Sequence, residues 1–189
     1  MKKLFLMILA PMAGMLGVNA QMLAVSTELS SDACQAPSLG IEVVTGDRSS
    51  VSLNAVYGKS IIGKDISLKA IQPEYRFYIS GRPVHQWFVG VGGIGMLFDV
   101  KVKGKVYDGY GAGLGMTFGY VWNLKIGKKE RISLDFHSGL GAIFYIRKEY
   151  FVQDNYDVVY TLDGAQRANA HGYYLLPTRV GISISYLLK

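Results

Sequence analysis

From Thr178 to Leu188 the chain alternates strictly, with Val180, Ile182, Ile184, Tyr186 and Leu188 set against Arg179, Gly181, Ser183 and Ser185. Side chains of a strand point to opposite faces in turn, so this segment predicts a strand with one oily face and one small or polar face. The same period recurs along the chain and predicts eight strands, over 22–30, 38–45, 50–57, 67–79, 86–100, 109–124, 130–150 and 174–188. In the sixth, Tyr110, Ala112, Leu114, Met116, Phe118, Tyr120, Trp122 and Leu124 oppose a row of glycines with Thr117, Val121 and Asn123. The seventh sets Ile132, Leu134, Phe136, Leu140, Ala142, Phe144 and Ile146 against Arg131, Ser133, Asp135, His137 and Arg147. The fourth sets Ile71, Pro73, Tyr75, Phe77 and Ile79 against Gln72, Glu74, Arg76 and Tyr78. In the fifth, Trp87, Val89 and Val91 change phase with Ile94, Met96, Phe98 and Val100, which predicts a bulge near Gly92-Gly93.

The links alternate as well. Those at 46–49, 80–85 and 125–129 are tight, whereas those between them, at 31–37, 58–66, 101–108 and 151–173, run as long or longer. In an up-and-down sheet every second link lies at one end, so short turns gather at one end and the 151–173 loop at the other. Oily-out, polar-in strands with this asymmetry predict an all-β fold: an eight-stranded antiparallel up-and-down transmembrane β-barrel. Two aromatic girdles are expected, with Tyr57, Tyr78, Trp87, Tyr120, Trp122 and Tyr186 at one end and Tyr107, Tyr110, Tyr145, Tyr150, Tyr173 and Tyr174 at the other.

Residues 1–20 read as a signal peptide, with basic Lys2 and Lys3, an apolar run from Leu4 to Val18, and Val18-Asn19-Ala20 before a cleavage point at Gln21. Residues 21–189 then form the barrel. Removing Lys2 and Lys3 takes Lys+Arg from 20 to 18 against 14 Asp+Glu, a net charge of +4 spread along the chain. That spread argues against a nucleic-acid partner, which needs clustered basic surface. The single cysteine, Cys34, makes neither an internal disulfide nor a metal-ligand spacing, and no metal or other cofactor is expected.

The signal, the strand Gln72-Pro73-Glu74-Tyr75-Arg76-Phe77-Tyr78, the start Gly111-Ala112-Gly113-Leu114-Gly115 and the ending Pro177-Thr178-Arg179-Val180-Gly181-Ile182-Ser183 resemble a family of small Gram-negative outer-membrane barrels, a domain of unknown function of the DUF3575 type. The resemblance covers most of residues 22–189. It implies an outer-membrane barrel and a link to the assembly of surface fibres, and it supplies no catalytic residues.

Four pieces of candidate chemistry follow. The inward face carries Glu28, Glu42, Asn54, Gln72, Glu74, Arg76, Arg131, Asp135, His137, Arg147 and Arg179. An eight-stranded barrel is just wide enough for side chains to fill, which excludes a porin. Buried charges must pair, so Glu42, Glu74 and Asp135 are expected to pair with Arg76, Arg131 and Arg179, beside His137, as a structural plug. A narrow channel is the alternative. Gly90-Val91-Gly92-Gly93-Ile94-Gly95 fits a dinucleotide fingerprint letter for letter but lacks the helix that fingerprint requires. A lipid A-modifying hydrolase would use triad residue types such as Asp135, His137 and Ser138, but alternation sends His137 and Ser138 to opposite faces. His171 with an acid of the long loop is the remaining candidate for such an enzyme. That loop, with Tyr156, Tyr160, Arg167 and His171, has the tyrosine–arginine composition of a recognition surface.

The expected protein is therefore a non-enzymatic outer-membrane barrel, surrounded by outer-membrane lipid and lipopolysaccharide. It acts as a scaffold or as a surface-interaction protein for a surface or periplasmic partner. A soluble periplasmic carrier barrel would need the reverse orientation, apolar within and polar without.

Overall fold

The computed structural model describes residues 22–126, 129–151 and 170–188. The expected signal and the greater part of the 151–173 loop lie outside them. Eight strands follow in order: β1 (Leu23–Glu28), β2 (Ser38–Gly46), β3 (Ser49–Gly58), β4 (Ile66–Tyr78), β5 (Gln86–Val102), β6 (Lys105–Ile126), β7 (Lys129–Phe151) and β8 (Ala170–Leu187). A short helix α1 (Leu29–Ala33) follows β1, and a 3-10 turn (Ile61–Gly63) precedes β4. All strands lie in one antiparallel sheet, each paired with its sequence neighbours. β1 pairs with β8, so the sheet closes on itself as a barrel.

The alternation read from the sequence is the inside–outside alternation of the wall. Leu114 and Met116 are each 71 % exposed, while Ser133, Asp135 and His137 are buried. Two corrections concern register. β5 runs without a bulge: it pairs continuously with β6 from Gln86↔Val121 to Val102↔Lys105. Ile94, Met96 and Phe98 therefore point inward and Gly93 and Gly95 outward. The apparent phase change reflects a lumen that becomes apolar at that height. The bulge lies instead in β8, where Gly139 pairs with Arg179 and Leu140 with Pro177, leaving Thr178 as the extra residue. Proline cannot donate to a ladder and is tolerated at such a place.

A third correction concerns the links. The 101–108 link shrinks to Lys103-Gly104, with φ of 50° and 77°, the positive pair that a two-residue hairpin needs. β8 begins at Ala170, so His171 and Tyr173 belong to a strand. Lys101, Lys105 and Asp108 read as loop because they are charged, yet they continue the β5–β6 ladder above the apolar band.

The lumen is filled in three layers. At the short-turn end Val84 folds in from the 79–85 link against Tyr78, Phe88, Val121 and Leu187. At the opposite end Ala36, Val56 and Ala70 pack with Ile61 and Met96. The links after β1 and β3 are tied there by Ile62 N–H donating to the Cys34 carbonyl at 3.3 Å. Between the two apolar layers lie the charges.

The inward side of β6 carries Gly109, Gly111, Gly113, Gly115 and Gly119, which let β7 approach closely. A Cβ on Gly115 would meet the Leu140 carbonyl oxygen at 2.6 Å and Gly141 Cα at 2.9 Å. Only glycine permits that approach.

Candidate functional site

Arg76 occupies the centre of the middle layer and is 2 % exposed. Strand β4 brings it in with Glu74, two residues away on the same face, and its Nε donates to Glu74 Oε2 at 2.8 Å. Its Nη1 donates across the lumen to Asp135 Oδ2 on β7 at 2.6 Å and to Glu42 Oε2 on β2 at 3.5 Å. The Phe88 ring covers its guanidinium plane at 4.4 Å. Arg179 donates from Nη1 to Glu74 Oε2 at 2.7 Å and lies 4.0 Å from Glu28 Oε1 through Nε. His137 joins the two sides: Nε2 is 2.9 Å from Glu28 Oε1, and Nδ1 is 3.6 Å from Asp135 Oδ1.

Four buried carboxylates, Glu28, Glu42, Glu74 and Asp135, thus face two guanidiniums and one imidazole. Hydroxyl dipoles supply further positive ends. Ser50 Oγ and Tyr78 Oη donate to Glu42 Oε1 at 2.5 and 2.6 Å, and Thr117 Oγ1 donates to Glu74 Oε1. Asn54 Nδ2 donates to Glu28 Oε2 at 3.0 Å. Such satisfaction is what allows charges to stay in a low-dielectric interior.

Of the residues expected in this network, Glu42, Glu74, Arg76, Asp135, His137 and Arg179 are brought together. Arg131 is not. It sits at the short-turn end of β7, exposed, with Nη1 donating to Tyr186 Oη at 3.2 Å. Alternation gives the face of a residue but not its height, and a long side chain at the rim reaches water. Arg147 is likewise a rim residue, paired with Glu149 and stacked on Tyr145 at 4.6 Å. Glu28, outside the expected pairing, joins the network as a fourth carboxylate, against His137 and Arg179. Its position on the inward face of β1 marked it as a candidate. The hydroxyl donors carried no comparable signal.

His137 has a side chain 1 % exposed inside the wall, whereas Ser138 lies on the opposite face of β7, so the local Asp135–His137–Ser138 set does not converge. Among the described residues there is no metal-ligand cluster. Of the expected loop contacts, Tyr156, Tyr160 and Arg167 lie outside the described residues, and His171 is exposed on β8 opposite Ile146. Tyr145 and Tyr174 face inward above the charge layer and stack at 4.9 Å, so neither belongs to an outward girdle. Tyr78 leaves the girdle too, since it is fully buried, and Tyr57 lies at the loop end, not the short-turn end.

No curated protein and no solved structure matches the chain. The family model for Protein of unknown function (DUF3575) matches residues 5–188, nearly the whole length, and the chain accordingly belongs to the DUF3575 family.

Proposed function

We propose that this protein is an outer-membrane barrel, exported by a signal removed after Ala20, whose lumen is a structural plug. Its work is done at the surface, as a non-enzymatic scaffold or interaction protein. The observation that carries the reading is the outward face. Along β5 the outward row runs from Trp87 to Leu97 without a charge. Those ten steps span about 33 Å of strand, or about 25 Å along the axis at the roughly 40° tilt of membrane barrels. That is the height of a bilayer's apolar band. The row ends in Asp99, which faces Asp108 on β6. At the other end Trp87 packs edge-on against Tyr120 at 5.1 Å, and Trp122 and Tyr186 stand nearby on the same face. In water such a face would be an aggregation hazard.

The height of the wall supports work at the surface. β5 to β8 continue past the apolar band, and residues 152–169, with Tyr156, Tyr160 and Arg167, connect β7 to β8. The filled lumen gives no support to a channel.

The test is fractionation of expressing cells followed by electrophoresis with and without boiling. The chain is expected in the outer-membrane fraction, needing detergent for release and migrating faster unboiled. A chain soluble in the periplasm would overturn the proposal.

A further inference from the structure

Small residues interrupt the outward face in one place. Ala55 on β3, Gly95 on β5 and Ala112 on β6 share one row with Ile71 between them. Ala55, Ile71 and Gly95 form the floor of a groove of about 560 Å³. The row above forms its upper wall: Tyr57, Lys69, Leu97 and Tyr110, paired across β3 to β6. Lys69 is exposed, with Nζ 5.8 Å from the centroid of the Tyr57 ring, and it makes no ion pair among the described residues. It is the single charge on the outward side of the wall at or below the Leu97–Tyr110 row among the described outward positions of β3 to β6. An ammonium at this edge of the apolar band reaches the interface, where lipid phosphates lie.

We infer that this groove is a lipid site of the loop-end leaflet, in which an acyl chain lies over Ala55 and Gly95 and the lipid's phosphate meets Lys69. The inference rests on the membrane reading above and adds a ligand to it. The charge fits, because an ammonium on a flexible stem is a point-charge phosphate binder. The shape fits too, because the floor lies directly below the ammonium, on the side where the chains of an interfacial lipid hang.

The test uses the full mature chain, extracted from outer membranes, exchanged into mild detergent and weighed by native mass spectrometry with added bis-phosphorylated lipid A. One retained lipid per chain is expected. Lys69→Ala and Gly95→Leu should each lower retention at least about tenfold, the scale of a lost charge-assisted contact. Gly95→Leu should fold, since a Cβ there meets only Ile71, at 3.5 Å. Lipid A stripped of its phosphates should bind wild type weakly and be indifferent to Lys69→Ala. Equal retention by wild type and Lys69→Ala in membrane-extracted, heat-modifiable protein would overturn the lipid site alone. A lipid-free dimer abolished by Gly95→Leu would overturn it in favour of a second copy of the chain. A wild-type chain never found in the membrane would overturn both readings.

Discussion

Arg76 and Asp135 stand 59 positions apart in the chain and 2.6 Å apart in the lumen. Their contact joins β4 to β7 across the interior, a link that strand pairing does not provide. Removing the guanidinium leaves Glu42, Glu74 and Asp135 without their shared cation, and breaking a buried pair in this way costs about 3–5 kcal/mol. Arg76→Ala is therefore expected to unfold at clearly lower temperature in the boiled-versus-unboiled gel assay. Arg131→Ala, at the exposed rim, should change stability by no more than about 0.5 kcal/mol. Equal behaviour of the two variants would mean that the lumen charges are solvated.

Met116 lies midway along the outward face of β6 and is 71 % exposed. In a bilayer Met116→Arg should cost about 2–4 kcal/mol, the depth-dependent cost of a cation at the midplane. Urea unfolding from lipid vesicles measures it. A cost near zero would place that face in water.

Gly115→Val tests the close approach of β6 to β7. The side chain has no room between β6 and the backbone of β7, so the cost should reach or exceed the roughly 1–3 kcal/mol typical of overpacking. The expected readout is loss of the compact, fast-migrating form.

Deleting 153–170 should leave β7 and β8 paired from Ile132↔Tyr186 up to Ile146↔His171, since only the Arg147↔Ala170 pair is removed with the segment. The barrel should still be extracted in folded form while the surface phenotype disappears. An intact phenotype would move the interaction elsewhere.

Much of this architecture was legible in the alternation alone, because a closed sheet repeats one simple rule: every second residue faces the axis. Arg76, Asp135 and Arg179 could be placed on one face from that rule. Their partners could not, since pairing depends on height and on which strands oppose each other across the lumen. β5 misled because glycine on the outside and Ile94, Met96 and Phe98 on the inside invert the usual contrast. Pro177 was the visible sign of the true bulge. The charged tops of β5 and β6 resembled a loop because a strand standing in water has no apolar face to betray it.

The unequal strands leave a mark on their surroundings. β1 has 6 residues and β7 has 23. Six residues rise about 20 Å along the strand, or about 15 Å along the axis at such a tilt. Beside β1 a bilayer would be pinched to meet the short side, at a fraction of a kcal/mol for each ångström of mismatch. On the membrane reading proposed above, that flank would be a permanent thin spot, where neighbouring lipids are most easily displaced.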